Sequence, residues 1–224
     1  MESPAIASYY DITMNENIPD PSVRRLSAYL RQLEHLKASG VDHVSSRQLA
    51  ERLNVGAAMV RRDLALFGQF GRRGVGYAVE ELIDQIQDIL GTQTGWSVIA
   101  IGAGMLCQAL MRYTGFTKRG FKIVAAFDDN PELIGQKIGE VPVYAMSDLK
   151  QYAHQHSIRL AILTVPASAA QICADQLVQA GIEGILNFAT AGLDTPEHVH
   201  STPVDITAHL EQLSFHVSQD SPAN

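Results

Sequence analysis

The chain has 224 residues, 46% of them apolar and 18% charged, with a formal net charge of −7. That length suits two modest domains and that composition excludes a disordered chain; no apolar run approaches the roughly 18 residues a membrane helix requires. Its two cysteines, Cys107 and Cys173, each lie in an apolar helical pattern, which excludes a disulfide framework and a cysteine-based zinc site. The segment 1–10 lacks the basic stretch and apolar core of a signal peptide, so a cytoplasmic protein is expected.

The acidic total hides a segregation. Residues 1–17 carry three acids and no base and are expected to form a flexible tail. Residues 18–79 carry ten Arg and Lys against five acids, a balance of +5, whereas 80–224 carry seven bases against sixteen acids, a balance of −9. Nine of the ten bases in the first block are Arg, which grips phosphate with paired hydrogen bonds. A basic block on an acidic body is the footprint of a nucleic-acid reader.

In chain order, Pro19-Asp20-Pro21-Ser22 is a breaker cluster ending in a capping residue, after which Val23, Leu26, Leu30, Leu33 and Leu36 recur at helical spacing up to Gly40. Ser45 and Gln48 stand in capping-box spacing before Leu49, Ala50 and Leu53, which predicts a short second helix. Asn54-Val55-Gly56 turns the chain into a third helix near 57–66, with Val60, Leu64 and Phe67 inward and Arg61 and Arg62 outward. Two short helices joined by a glycine turn predict a helix-turn-helix, with Ser46, Ala58, Met59, Arg61 and Arg62 toward DNA. The run 70–77 brackets Arg72 and Arg73 with glycines and predicts a β-hairpin wing that lays both arginines on phosphate or in the minor groove. Taken alone, Arg61 and Arg62 would be a solvated helix face; the flanking motifs turn them into a DNA surface.

An amphipathic helix over 80–90 predicts a linker at 80–94. The strand 96–101 then runs into Gly102-Ala103-Gly104 and a helix beginning Met105-Leu106-Cys107, and a second strand from Phe121 ends at Asp128. Strand, glycine turn, helix, strand and acid are in dinucleotide-binding order, with the glycines beside a pyrophosphate and the acid on the adenosine ribose. Cys107 stands where the third fingerprint glycine belongs and is expected to pack rather than react. Further strands at 141–144, 160–165 and 184–188, with helices at 147–156 and 168–180, predict a doubly wound parallel sheet over 95–203. Ligands of such sheets sit at the carboxyl ends of the strands, which adds Thr164, Val165, Pro166, Asn187, Phe188 and Ala189 to the site. Asp205 caps a last helix at 204–218 whose stripe Ile206, Leu210, Leu213 and Val217 would ordinarily be core of its own chain, and 219–224 are expected to be a tail.

This α/β order, a winged helix ahead of a Rossmann-like sheet and one end helix, resembles the Rex family of redox-sensing transcriptional repressors. The likeness spans about 18–217 and is carried by Val60-Arg61-Arg62-Asp63-Leu64, Gly71-Arg72-Arg73-Gly74-Val75-Gly76-Tyr77, Tyr113-Thr114-Gly115-Phe116, Ala125-Ala126-Phe127-Asp128 and Gly184-Ile185-Leu186-Asn187-Phe188-Ala189. The resemblance implies a non-enzymatic homodimer with an exchanged end helix, bound to double-stranded operator DNA and released by NADH in competition with NAD⁺. It also implies a network of Arg25, Tyr113 and the partner's Asp205 that couples nicotinamide redox state to the DNA-binding domain. The sequence departs from the family at Cys107, at Gln108 where a base is usual, at Ala58 and Met59 where polar residues are usual, and at Thr190 where proline is usual. Three rival readings remain at this stage: a nicotinamide-dependent oxidoreductase, a repressor of another adenine nucleotide, and a thiol-oxidation sensor.

Overall fold

The computed structural model describes residues 18–72 and 74–220; the expected tail at 1–17, residues 221–224 of the one expected at 219–224, and Arg73 lie outside the described residues. The chain divides between Thr94 and Gly95 into two compact units.

The first unit holds α1 (Asp20–Ala38), β1 (His43–Val44), α2 (Ser46–Leu53), α3 (Ala57–Ala65), β2 (Tyr77–Ala78) and α4 (Val79–Ile89). Its core joins Leu26, Leu30 and Leu33 of α1 to Leu49, Val60 and Leu64, and to Leu82 and Ile86 of α4. The expected linker helix is therefore built into this core. The helix α2 begins on the expected capping box, Ser45 and Gln48 satisfying each other's backbone N–H groups, and ends on left-handed Asn54. The strands β1 and β2, separated in sequence by α2 and α3, pair antiparallel, His43 with Ala78 and Val44 with Tyr77; the hairpin expected over 70–77 shows, among the described residues, no strands of its own before Tyr77 but a single bridge of Arg72 to Gly76. Gly71 and Gly76 are obligatory there: both have positive φ, and a Cβ would lie 2.5 Å from the Gly76 carbonyl oxygen or 2.6 Å from that of Val44.

The start of α1 departs from expectation. It begins at Asp20 with Pro21 in the first turn, where a missing N–H costs nothing, and Ser22 is buried rather than capping. Val23 faces solvent, and Tyr29 takes a place in the core. The cause is Asp63 of α3, 1% exposed, which draws three side chains from one face of α1. Arg25 donates Nε and Nη2 to its two oxygens at 2.6 and 2.7 Å, the Tyr29 hydroxyl donates at 2.6 Å, and the Ser22 hydroxyl at 3.0 Å.

The second unit holds β3 (Trp96–Ile101), α5 (Met105–Met111), α6 (Thr114–Thr117), β4 (Phe121–Asp128), β5 (Lys137–Ile138), β6 (Val141–Ala145), α7 (Leu149–Gln155), β7 (Leu160–Leu163), α8 (Ala167–Gln179), β8 (Gly184–Asn187), β9 (His200–Pro203) and α9 (Ile206–Asp220). The sheet runs β5-β6-β4-β3-β7-β8-β9, all parallel except β5, so the order reverses direction at β3. That is the dinucleotide-binding strand order, with its crevice beside β3. One face packs Ile99, Ile101, Phe127 and Leu163 against α7 and α8; the other is lined by small residues, Ala100 and Ala126, against Ala103 and Cys107. The short α6, β5 and the polar edge strand β9 are not legible as apolar patterns. The last helix continues to Asp220, two residues past its expected end.

Burial raises the Asp63 carboxyl, but hydrogen bonds from Arg25, Tyr29 and Ser22 and the Arg25 charge overcome it and leave the group below its ordinary value of 3.8. A depressed carboxylate stabilises the fold above its unfolded pKa, and that contribution is lost as pH falls through the folded value. We expect Asp63→Ala to cost about 3 kcal/mol in urea denaturation at neutral pH, because it strands the buried partners. The deficit should shrink below pH 3.8.

Candidate functional sites

The parallel register brings the second unit's candidate residues together. Ile101 pairs with Phe127 and with Leu163, and Leu163 pairs with Asn187, so four strands end on one row. The next residue on each strand continues the row: Gly102 N–H donates to the Phe127 carbonyl, Thr164 N–H to that of Ile101 and Phe188 N–H to that of Leu163, at 2.8 to 2.9 Å. Gly102, Asp128, Thr164 and Phe188 thus line the carboxyl edge of the sheet at its switch point.

Each is fixed by local chemistry. Gly102 has φ +86°, and a Cβ there would meet the Thr164 carbonyl oxygen at 3.0 Å. The Thr164 hydroxyl lies 2.9 and 2.8 Å from the carbonyls of Ile101 and Gly102, locking the first turn of the loop, which leads on to Val165 and Pro166. The Asp128 carboxylate accepts Ala103 N–H at 2.6 Å on one oxygen and Asn130 N–H at 2.8 Å on the other, so it braces the glycine loop before any ligand is considered. Gln108, standing where the family usually has a base, donates its amide to the Ala103 carbonyl at 3.1 Å. Gly104 opens α5 with free space where a Cβ would stand, and Met105 and Leu106 face solvent. At the end of β8, buried Asn187 accepts Ala189 N–H and donates to the Ala191 carbonyl, holding the loop that carries Phe188 and Ala189. Thr190 in that loop has φ +36°, a conformation a β-branched residue adopts under strain.

Cys107 is 1% exposed, packed among Ala100, Ala103, Ala126 and Val143. Burial pushes its thiol up to about 11, so it is protonated at neutral pH and poorly nucleophilic.

In the first unit, Ala58, Met59, Arg61 and Arg62 share the exposed side of α3. Arg61 donates Nη1 to the Ser46 hydroxyl at 3.0 Å, tying α3 to the start of α2. Ser46, Arg61 and Arg72 line one groove of about 570 Å³ between these helices and the wing, floored by Leu64, Phe70 and Tyr77. Arg73 lies outside the described residues.

The three candidate coupling residues belong to different units, and each is held by neighbours of its own. Arg25 is held by Asp63 within the first unit. Tyr113 belongs to the second, 60% exposed, so it is no core aromatic; its ring packs edge-on against Phe116 at 5.3 Å, and a Cβ on Gly115 would run into it. Asp205 accepts Ala208 N–H at 3.0 Å as the cap of α9. The stripe on α9 is not core of its own chain: Ile206, Leu210, Leu213 and Val217 are 58 to 67% exposed, as is Phe215 at 60%. Asp63 and Gln108 were not singled out as site residues from sequence. A lone acid between Arg62 and an apolar residue was the available signal for the first. Among the described residues no helix is long and apolar enough to cross a membrane, and no three His, Cys, Asp or Glu side chains are grouped to hold a metal.

The state of Cys107 is directly testable. Iodoacetamide at pH 7 should leave it unmodified in the native protein and label it fully in urea, as read by mass spectrometry of the proteolytic peptide that carries Cys107; native labelling of that peptide would contradict the protonated, buried thiol.

Comparison with known proteins places this geometry. Residues 93–191 match the family described as CoA binding domain, and residues 17–65 match one described as a DNA-binding protein N-terminus. The redox-sensing transcriptional repressor Rex of Carboxydothermus hydrogenoformans is 44% identical over 203 residues, 91% of this chain and 98% of that protein. That of Thermosipho africanus is 39% identical over 92% of this chain and 99% of its own length. The crystal structure of RSP, a Rex-family repressor, in complex with beta-NAD⁺ and operator DNA superposes with a TM-score of 0.86 at 39% identity, covering 91% of this chain and 94% of RSP. Its complex with beta-NADH gives 0.83 at 37%, covering 91% and 95%. With its winged-helix and Rossmann-like units in the same chain order as these relatives, and at this identity over nine-tenths of its length, the chain belongs to the Rex family of redox-sensing transcriptional repressors.

Proposed function

We propose that the chain is a cytoplasmic, non-catalytic repressor that binds double-stranded operator DNA as a homodimer and is released when NADH displaces NAD⁺. The observation that carries this reading is the row Gly102, Asp128, Thr164 and Phe188 in a chain whose other unit presents an arginine-bearing reading helix. The cradle fits a dinucleotide. Its first glycine could not be another residue, its second leaves room at the backbone, and the small Cys107 fills the third glycine's place without leaving the core. When bound, the nicotinamide supplies the redox information and the protein supplies the discrimination. RSP, solved with beta-NAD⁺ and operator DNA and also with beta-NADH, supports the same ligands here.

The proposed dimer places α9 of each chain on its partner. Ile206, Leu210, Leu213 and Phe215 of α9 are 58 to 62% exposed, an apolar stripe that is costly in water unless a second surface covers it, and a second copy offers the same helix in return. In this reading the partner's Asp205, with Tyr113 and Arg25, carries the state of the nicotinamide to α1. Arg25 is already bonded to Asp63 on the reading helix, so a competing carboxylate at Arg25 would act directly on α3. Two reading helices engage a palindrome only at the spacing of the DNA repeat, so a ligand that favours another spacing releases the DNA in proportion to its differential affinity.

Fluorescence anisotropy of a labelled operator tests the sensor reading. Micromolar NADH should release the protein and a large excess of NAD⁺ should not; equal release by both, or by neither, overturns it. Sedimentation tests the dimer: Leu213→Glu, on the exposed stripe, should give a monomer with at least tenfold weaker operator binding. A variant still dimeric removes α9 from the interface.

A further inference from the structure

We propose that α3 identifies its operator in part through the 5-methyl groups of thymine, contacted by Ala58 near the middle of its exposed face and by Met59 at one edge, with Arg62 between them and Arg61 on the other side of Ala58. This rests on the reading of α3 as the helix that enters the major groove.

The rotation of α3 about its own axis is set by what it buries. Val60 and Leu64 pack in the core, and Asp63 is clasped by Ser22, Arg25 and Tyr29. Successive helical residues turn about 100°, so the direction opposite these three is that of Ala58 and Ala65. Arg61 lies to one side of that line, drawn toward Ser46 of α2. Arg62 lies to the other, with Met59, 43% exposed, beyond it.

The chemistry of this face is narrow. Adenine is read by an amide that both donates and accepts, cytosine by a carboxylate, and guanine by a guanidinium or ammonium. The exposed side of α3 has no amide and no carboxylate; it has two guanidiniums, two alanine methyls and a thioether. Alanine at the centre lets the helix backbone come close to the base edges. Neither alanine nor methionine offers a strong hydrogen bond there, and the apolar feature of the major groove is the thymine methyl. The arginines beside them suit guanine or phosphate, and the first unit's basic excess supplies the attraction. Base discrimination by Ala58 and Met59 is therefore apolar, and any hydrogen-bonded readout on this face falls to Arg61 and Arg62.

The operator sequence need not be known for the test. The full-length protein selects duplexes from a randomised library, and the enriched duplex is compared with copies in which individual thymidines of each half-site are replaced by deoxyuridine, which removes the methyl and keeps every hydrogen-bonding group. Burial of a methyl corresponds to about fourfold in affinity, so that loss is expected at each contacted thymine. Met59→Ala should erase the difference at one position and Ala58→Gly at another, with the salt dependence of binding unchanged. An enriched duplex that binds equally well with deoxyuridine throughout overturns this inference and leaves the repressor reading intact. Failure to enrich any duplex overturns both.

Discussion

Four parallel strands that end on one row are the constraint on which the nucleotide cradle depends. Because Ile101, Phe127, Leu163 and Asn187 are in register, the chain leaves the sheet at four neighbouring points and must turn there. The turns are held by groups that belong to the loops themselves: Asp128 on Ala103 N–H, Gln108 on the Ala103 carbonyl, Thr164 on two carbonyls and Asn187 on the loop after β8. A backbone so braced does not have to be ordered by its ligand, and little binding free energy is lost to loop ordering. The free energy that distinguishes two ligands can then be expressed elsewhere, as a change in the protein's conformational balance.

The first unit uses a different device. Its third helix is nine residues long, without a side-chain cap, and contributes few large apolar residues. What orients it is a buried carboxylate held by three donors of α1. Such a cluster is directional where apolar packing is not, since a small rotation of α3 would break several charge-assisted bonds at once. The same cluster contains Arg25, a residue only partly buried. The group that orients α3 is thus reachable from outside the first unit's core.

The third glycine of the dinucleotide fingerprint illustrates how a departure from pattern is absorbed. The sheet face beneath α5 is lined by Ala100 and Ala126, and Ala103 begins the helix side. Small neighbours leave room for a thiol of Cys107's size, and burial keeps that thiol protonated. The substitution therefore adds packing without adding reactivity.

Much of this protein is decided locally and is legible in its sequence. The capping box at Ser45, the strands at 96–101 and 121–128, the glycine turn at Gly102 and the basic excess of residues 18–79 follow from residue spacing and charge alone, since each depends on neighbours within a few positions. What only the tertiary structure decided are the partners: Ser22 bonded to Asp63 rather than capping α1, Arg25 engaged with α3, Asp128 bracing Ala103, and the α9 stripe left uncovered by its own chain. Those pairs join residues 25 to 41 positions apart, or depend on a surface the chain does not itself supply. Their geometry is set by strand register and by the rotation of packed helices, quantities that a residue's immediate sequence does not contain.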